Sequence, residues 1–121
     1  MNALDEVFEL LDRERRRYAL YHLAEAEGPV RVEELAEQVA AWEHGTSTDG
    51  VPEEAFEDVT LTLVHQHLPK AARAEFVEYD REENVVRLSG SPAEFDVVLS
   101  VAKAIDQPAE TNGVVGLTDF I

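Results

Sequence analysis

HQHLPKAARAEFVEYDREENVVRLS, residues 65–89, decides the fold. Up to Ala74 it continues an apolar spacing of three and four that begins at Pro52. Beyond that it carries β-branched and aromatic residues on either side of the polar turn Arg81-Glu82-Glu83-Asn84. A helix therefore runs into a β-hairpin, with strands over 76–80 and 85–89. Pro52 suits the first helical position, and Glu53 and Glu54 suit the first turn. Phe56, Leu61, Val64, Leu68 and Ala71 form the stripe expected to face the core. Pro69 lies inside the helix, removes one backbone hydrogen bond and predicts a bend or a division there.

Upstream, Val30-Arg31-Val32 reads as a short extended piece. The helix after it places Leu35, Ala36, Val39 and Trp42 on one face. Gly45 to Gly50 has loop composition. Residues 3–27 repeat Leu4, Val7, Phe8, Leu11, Ala19, Leu20, Leu23 and Ala26 at helical spacing, with a possible break near Asp12 and a stop at Gly28-Pro29. Downstream, Ser91-Pro92-Ala93-Glu94 is a capping box with proline at the first helical position. It opens a helix whose stripe is Phe95, Val98, Leu99, Ala102 and Ile105. The fold class is mainly α with a small β-hairpin, and 121 residues suffice for one core. The division expected is 1–90, a C-terminal helix over 91–107, and a tail over 108–121.

Acidic residues outnumber basic ones 26 to 10, for a formal charge of −16. Such a chain repels phosphate, which argues against nucleic acid and anionic membranes in dilute buffer. Only Lys70 and Lys103 are lysines. Carboxylate excess with scarce lysine resembles the cytoplasmic proteins of extreme halophiles, and in molar salt the Debye length falls to about 3 Å. The alternative is an acidic protein that binds basic partners. Absence of cysteine excludes disulfides and thiolate metal sites. No stretch approaches the ~20 apolar residues of a membrane span, and the N-terminal residues are acidic where a signal peptide would be basic. A soluble, cytoplasmic protein is expected.

Helix, short strand, helix, helix, hairpin, helix is the order of a winged helix-turn-helix, whose second motif helix enters the major groove while the hairpin lies alongside. RRRYALYHLAEAEGPVRVEELAEQVA, residues 15–40, and HQHLPKAARAEFVEYD, residues 65–80, resemble the ArsR/MarR-like winged-helix regulators, particularly their haloarchaeal branch. The resemblance covers about residues 5–89 and is most specific from His67-Leu68 to Tyr79. It implies a DNA-binding transcription regulator. The sequence departs from the pattern in a long loop, Glu43 to Pro52, in Glu75 where the family has glycine, and in Ala71 where it has leucine.

With Leu61, Val64, Leu68 and Ala71 turned inward, the opposite surface would present Thr62, Leu63, Gln66 and Lys70, flanked by Thr60 and His65. Glutamine can pair with an adenine edge, threonine can bond phosphate, and lysine can neutralise it. No Asp or Glu occurs from Thr60 to Arg73, which favours a surface meant to approach a polyanion. Arg81 at the hairpin turn and Arg87 on its second strand are candidates for a minor groove or a phosphate, though Arg87 could equally pair with Glu78. From the run Arg13 to Arg17, Arg16 and Arg17 are candidate phosphate contacts, against salt bridging with Asp12, Glu14 and other acids. Phe95, Val98, Leu99, Ala102 and Ile105 are expected to pair two copies, with Leu4, Val7, Phe8 and Leu11 able to share the interface.

His65 and His67 lie two apart on a helix and face different ways, so no metal site is expected. His22 reads as a hydrogen-bonded semi-core residue. No catalytic constellation and no cofactor motif stand out. The expectation is a non-enzymatic, homodimeric regulator of double-stranded DNA. The alternatives are a winged-helix module that binds protein, or a sensor with a small-molecule effector near the last helix.

Overall fold

The computed structural model describes residues 3–90 and 93–108. Within them the chain is mainly helical, with one small antiparallel sheet. Residues 11–13 divide the N-terminal helical run into α1 (Ala3–Leu10) and α2 (Glu14–Glu25), at the place where the spacing allowed a break. α2 buries Tyr18, Ala19, Leu20, Tyr21 and Leu23 and forms the middle of the core. β1 (Val30–Arg31) leads directly into α3 (Val32–His44), which buries Val32, Leu35, Ala36 and Val39 against it. Gly45 closes α3 in the left-handed region at φ 61°, with the Thr46 amide donating to Ala41, a cap that glycine adopts without Cβ strain.

The long segment after the exposed loop is not one regular helix. α4 (Glu53–Thr62) passes through a π turn (Leu63–His67) into α5 (Leu68–Arg73). The Leu68 amide donates to the Leu63 carbonyl, five residues back, in place of the usual four. A regular helix would press the Pro69 ring against the His65 carbonyl, and the wider turn provides the space. The division predicted from Pro69 is therefore present, and it takes in one residue more than a regular turn holds. That residue changes which side chains face inward. Val59 and Leu63 are buried, and Leu61 is 59% exposed. The uniform spacing placed Leu61 inside and Leu63 outside, and both are reversed. Val64 is half-buried, while Leu68 and Ala71 face the core as expected.

β2 (Val77–Asp80) and β3 (Val85–Leu88) form the hairpin, with Val77 opposite Leu88 and Tyr79 opposite Val86. β1 adds to the far side of β3 through Val30 and Val86, giving the order β1-β3-β2. Asp80 accepts the Glu82 and Glu83 amides at 3.0 Å, and Asn84 takes the left-handed conformation at φ 58°. Glu75, before β2, also sits at φ 67°, so the backbone keeps the geometry suited to glycine while carrying a side chain.

α6 (Ala93–Asp106) lays Phe95 on Phe76, ring centres 4.8 Å apart, and inserts Leu99 into the same core. The last helix is thus part of the body built by residues 3–90. Ser91 and Pro92 of the expected capping box, and the tail from 109 to 121, lie outside the described residues. Among the described residues no helix is long and apolar enough to cross a membrane.

Candidate nucleic-acid interface

The outward face of α4, the π turn and α5 is where the sequence pointed to DNA. Its residues separate into three groups. His65 and Gln66 stand exposed with no hydrogen-bond or ionic partner among the described residues, and Arg73 is likewise open. Leu61 joins them as the one large apolar side chain on this face. Regular spacing turns Leu61 inward, and Arg73 closes the carboxylate-free stretch without standing out in it. The sequence signal for the exposure of Leu61 is Pro69, which disfavours a regular turn before it.

Thr60 and Thr62 are half-buried and bonded to their own helix. The Thr60 hydroxyl donates to the Phe56 carbonyl at 2.8 Å, and the Thr62 hydroxyl lies 3.2 Å from the Val59 carbonyl. Lys70 forms an ion pair with Glu9 of α1 at 2.9 Å. Leu63 is fully buried and is withdrawn as a contact, because the π turn rotates it into the core.

The arginine run of α2 is tied down from inside the chain. Arg15 grips both carboxylate oxygens of Glu43 on α3 at 2.7 and 2.9 Å, and also reaches Asp58 and the Thr62 hydroxyl on α4 at 3.0 Å. The hydrogen bond to Glu43 raises its pKa, against the opposing effect of burial.

Arg16 is 2% exposed. It donates to the Leu10 carbonyl at 2.5 Å, the Glu9 carbonyl at 2.8 Å and the Asp12 carboxylate at 2.6 Å, and its remaining arm lies 3.2 Å from Nδ1 of His67. Burial lowers the Arg16 pKa, with Asp12 acting against it. Arg17 donates to Asp106 of α6 at 2.7 Å and to the Leu11 carbonyl at 2.7 Å. Neither Arg16 nor Arg17 is available to phosphate, because each closes a contact between helices. Burial acts to raise the Asp106 carboxyl. The hydrogen bonds from Arg17 and Tyr21 outweigh it and hold the group below the ordinary carboxylate range.

On the hairpin, Arg81 is exposed at the turn with its guanidinium 5.6 Å from the centre of the Tyr79 ring. Arg87 pairs with both oxygens of Glu78 at 2.9 and 3.0 Å, the cross-strand alternative raised by the sequence. His22 is half-buried, with Nε2 3.1 Å from Glu34. Among the described residues no cluster of His, Asp and Glu is placed to hold a metal.

Residues 8–87 match a family described as Domain of unknown function (DUF7344). The chain belongs to the DUF7344 family. No curated protein and no solved structure matches it. The DUF7344 match begins at Phe8 in α1 and ends at Arg87 in β3, so α6 lies beyond it although Phe95 and Leu99 complete the core.

The surface expected to pair two copies is altered by this packing. Phe95 and Leu99 are used inside the chain, as are Val7 and Leu11, and Val98 and Ala102 are half-buried against the same core. Of the expected α6 residues only Ile105 stands well out, at 63% exposed, and of those expected on α1 Leu4 and Phe8 do. The apolar side chains that do face solvent beside it are Leu4 and Phe8 of α1 and Val97 and Val101 of α6. An open groove of about 330 Å³ runs between the two helices, with Arg17 and Asp106 at one end.

Proposed function

We propose that this chain is a winged helix-turn-helix domain that binds double-stranded DNA and regulates transcription. The fold reading is supported by the order α2, β1, α3, α4–α5, β2, β3 and by the seating of β1 on the second hairpin strand. α4–α5 is then the helix offered to the major groove, and the turn that bears Arg81 is the wing. The function rests chiefly on one observation. His65 and Gln66 are open and unpartnered in a stretch that carries no carboxylate, within a chain of 26 acidic residues.

A second copy is the proposed partner. Its binding face is the strip formed by Leu4, Phe8, Val97, Val101 and Ile105, which keeps Leu4, Phe8 and Ile105 of the set read from spacing and adds Val97 and Val101. Large apolar side chains exposed together on two packed helices mark an interaction surface, and a two-fold pair would present two α4–α5 segments to successive grooves.

Retention of genomic fragments in molar potassium chloride tests the reading. The unaltered protein should hold a specific subset, and His65→Glu or Gln66→Glu should release it. Absence of specific retention favours a protein-binding module. That second reading is supported by the pairing of Arg15, Arg17, Lys70 and Arg87 with carboxylates, and by Glu53 and Glu54 in the first turn of α4.

A further inference from the structure

Arg16 and His67 lie 51 residues apart in sequence and meet in the interior, 2% and 5% exposed. Neither is needed to explain the proposed DNA contacts, and buried polar groups of this kind call for a physical reason. The guanidinium has two separate tasks. Its Nε and one Nη arm take the Leu10 and Glu9 carbonyls, the last of α1, which have no partner inside their own helix. The other Nη arm donates to Nδ1 of His67, the last residue of the π turn. Accepting there fixes His67 as the neutral ring with its proton on Nε2.

The same side chain therefore holds the end of α1 and the widened turn of the proposed reading helix. α1 also carries Leu4 and Phe8 of the exposed apolar strip, and Lys70 of α5 returns to Glu9 of α1. The π turn decides which residues face outward. Closing it by one residue would rotate one flank of the helix against the other by about 100°, which would turn Gln66 away from its present direction.

We infer that Arg16 is a positioning residue that links the seating of α1 to the register of the π turn, so that occupation of the apolar strip is felt at His65 and Gln66. The coupling between α1 and the turn stands on the contacts themselves, and its consequence for DNA rests on the reading above. Two helix ends joined through one buried side chain form a contiguous physical path of the kind that carries coupling.

Val7 is buried on α1 and touches neither Arg16 nor the turn through any hydrogen bond, so Val7→Ala loosens α1 without cutting the link. In the full chain, Val7→Ala should shift the amide resonances of Gln66 and Leu68. In the background of His67→Leu, which removes the acceptor, it should leave them in place, and His67→Gln, which restores one, should bring the response back. Resonances that ignore Val7→Ala when His67 is present, or that move equally with leucine at 67, overturn the link.

If His67→Leu does not fold, native-state hydrogen exchange on the unaltered chain decides. The Leu11 amide, bonded to Val7, and the Leu68 amide, bonded to Leu63, should share one opening equilibrium. Independent openings overturn the inference. None of these readouts requires DNA. Failure of the link and failure of the DNA reading are thus seen separately, the second as an absence of retained fragments.

Discussion

Arg15, Arg16 and Arg17 stand on α2 with their charges answered from inside the chain, whereas His65 and Gln66 face solvent with none. The first group is the densest basic run in the sequence and the natural place to seek a phosphate contact. It contributes instead to the packing of α1, α3, α4 and α6 around α2. The difference comes from supply. With 26 carboxylates to 10 cationic side chains, Arg15, Arg16 and Arg17 each find an acid of the chain, and Arg16 and Arg17 a free carbonyl as well. His65 and Gln66, on the outward side of the π turn, are not captured in this way. On the proposed function, an acidic domain approaches a polyanion through a surface distinguished by missing carboxylates more than by added cations. The corollary is a shallow salt dependence, because few counterions are released.

Removing Arg16 should break that contrast most severely. Arg16→Met leaves the Glu9 and Leu10 carbonyls and His67 without their donor, and should destabilise the fold by about 3–5 kcal/mol. Arg73→Met, on the open face, should change stability by no more than about 0.5 kcal/mol. Urea unfolding of both variants in molar potassium chloride gives the comparison.

His67 provides the next largest effect through pH. Burial, followed by the charges of Arg16, Arg15 and Arg13, lowers its pKa to about 4 from an ordinary 6.5. Between those values the unfolded chain holds the additional proton. Stability is therefore fully present above 6.5 and declines as pH falls toward 4, by about 3 kcal/mol in total. Because the carboxylates titrate in the lower part of this range, the measured quantity is the difference from His67→Gln, which should lack this component of the slope. Parallel profiles for the two proteins would refute the buried neutral ring.

Asp106→Asn tests the other internal pairing. It weakens the bonds from Arg17 and Tyr21 and should cost about 1–3 kcal/mol, read as a lower melting temperature with earlier exchange of α6 amides. The smallest change expected is a gain. Glu75→Gly relieves a side chain held at φ 67° and should stabilise by up to about 1 kcal/mol by the same measurement.

Much of the fold was legible because each element carried its own local signal. The break near Asp12, the end of the first helical run before Gly28-Pro29 and the turn between Asp80 and Val85 all stand where the sequence put them. Pro69 announced an irregular helix but not its form. A π turn adds one residue, and one residue suffices to exchange Leu61 for Leu63 on the buried side. The fates of Arg16 and Arg17 were not legible, since their partners Leu10, His67 and Asp106 are brought together only by the packing of α1, the π turn and α6 on α2. For the same reason periodicity on α6 could identify an apolar stripe but not divide it between its own core, which takes Phe95 and Leu99, and the outside, which keeps Ile105 beside Val97 and Val101, two residues off the stripe.

A resonance titration of the isotope-labelled chain with a retained DNA fragment, in molar potassium chloride, tests the central claim most directly. The account predicts that the amides of Leu61, His65, Gln66 and Arg81 shift on binding and those of Arg15, Arg16 and Arg17 do not, with Gln66→Glu weakening the complex at least about tenfold. Shifts concentrated on α2, or a complex indifferent to Gln66→Glu, would contradict it.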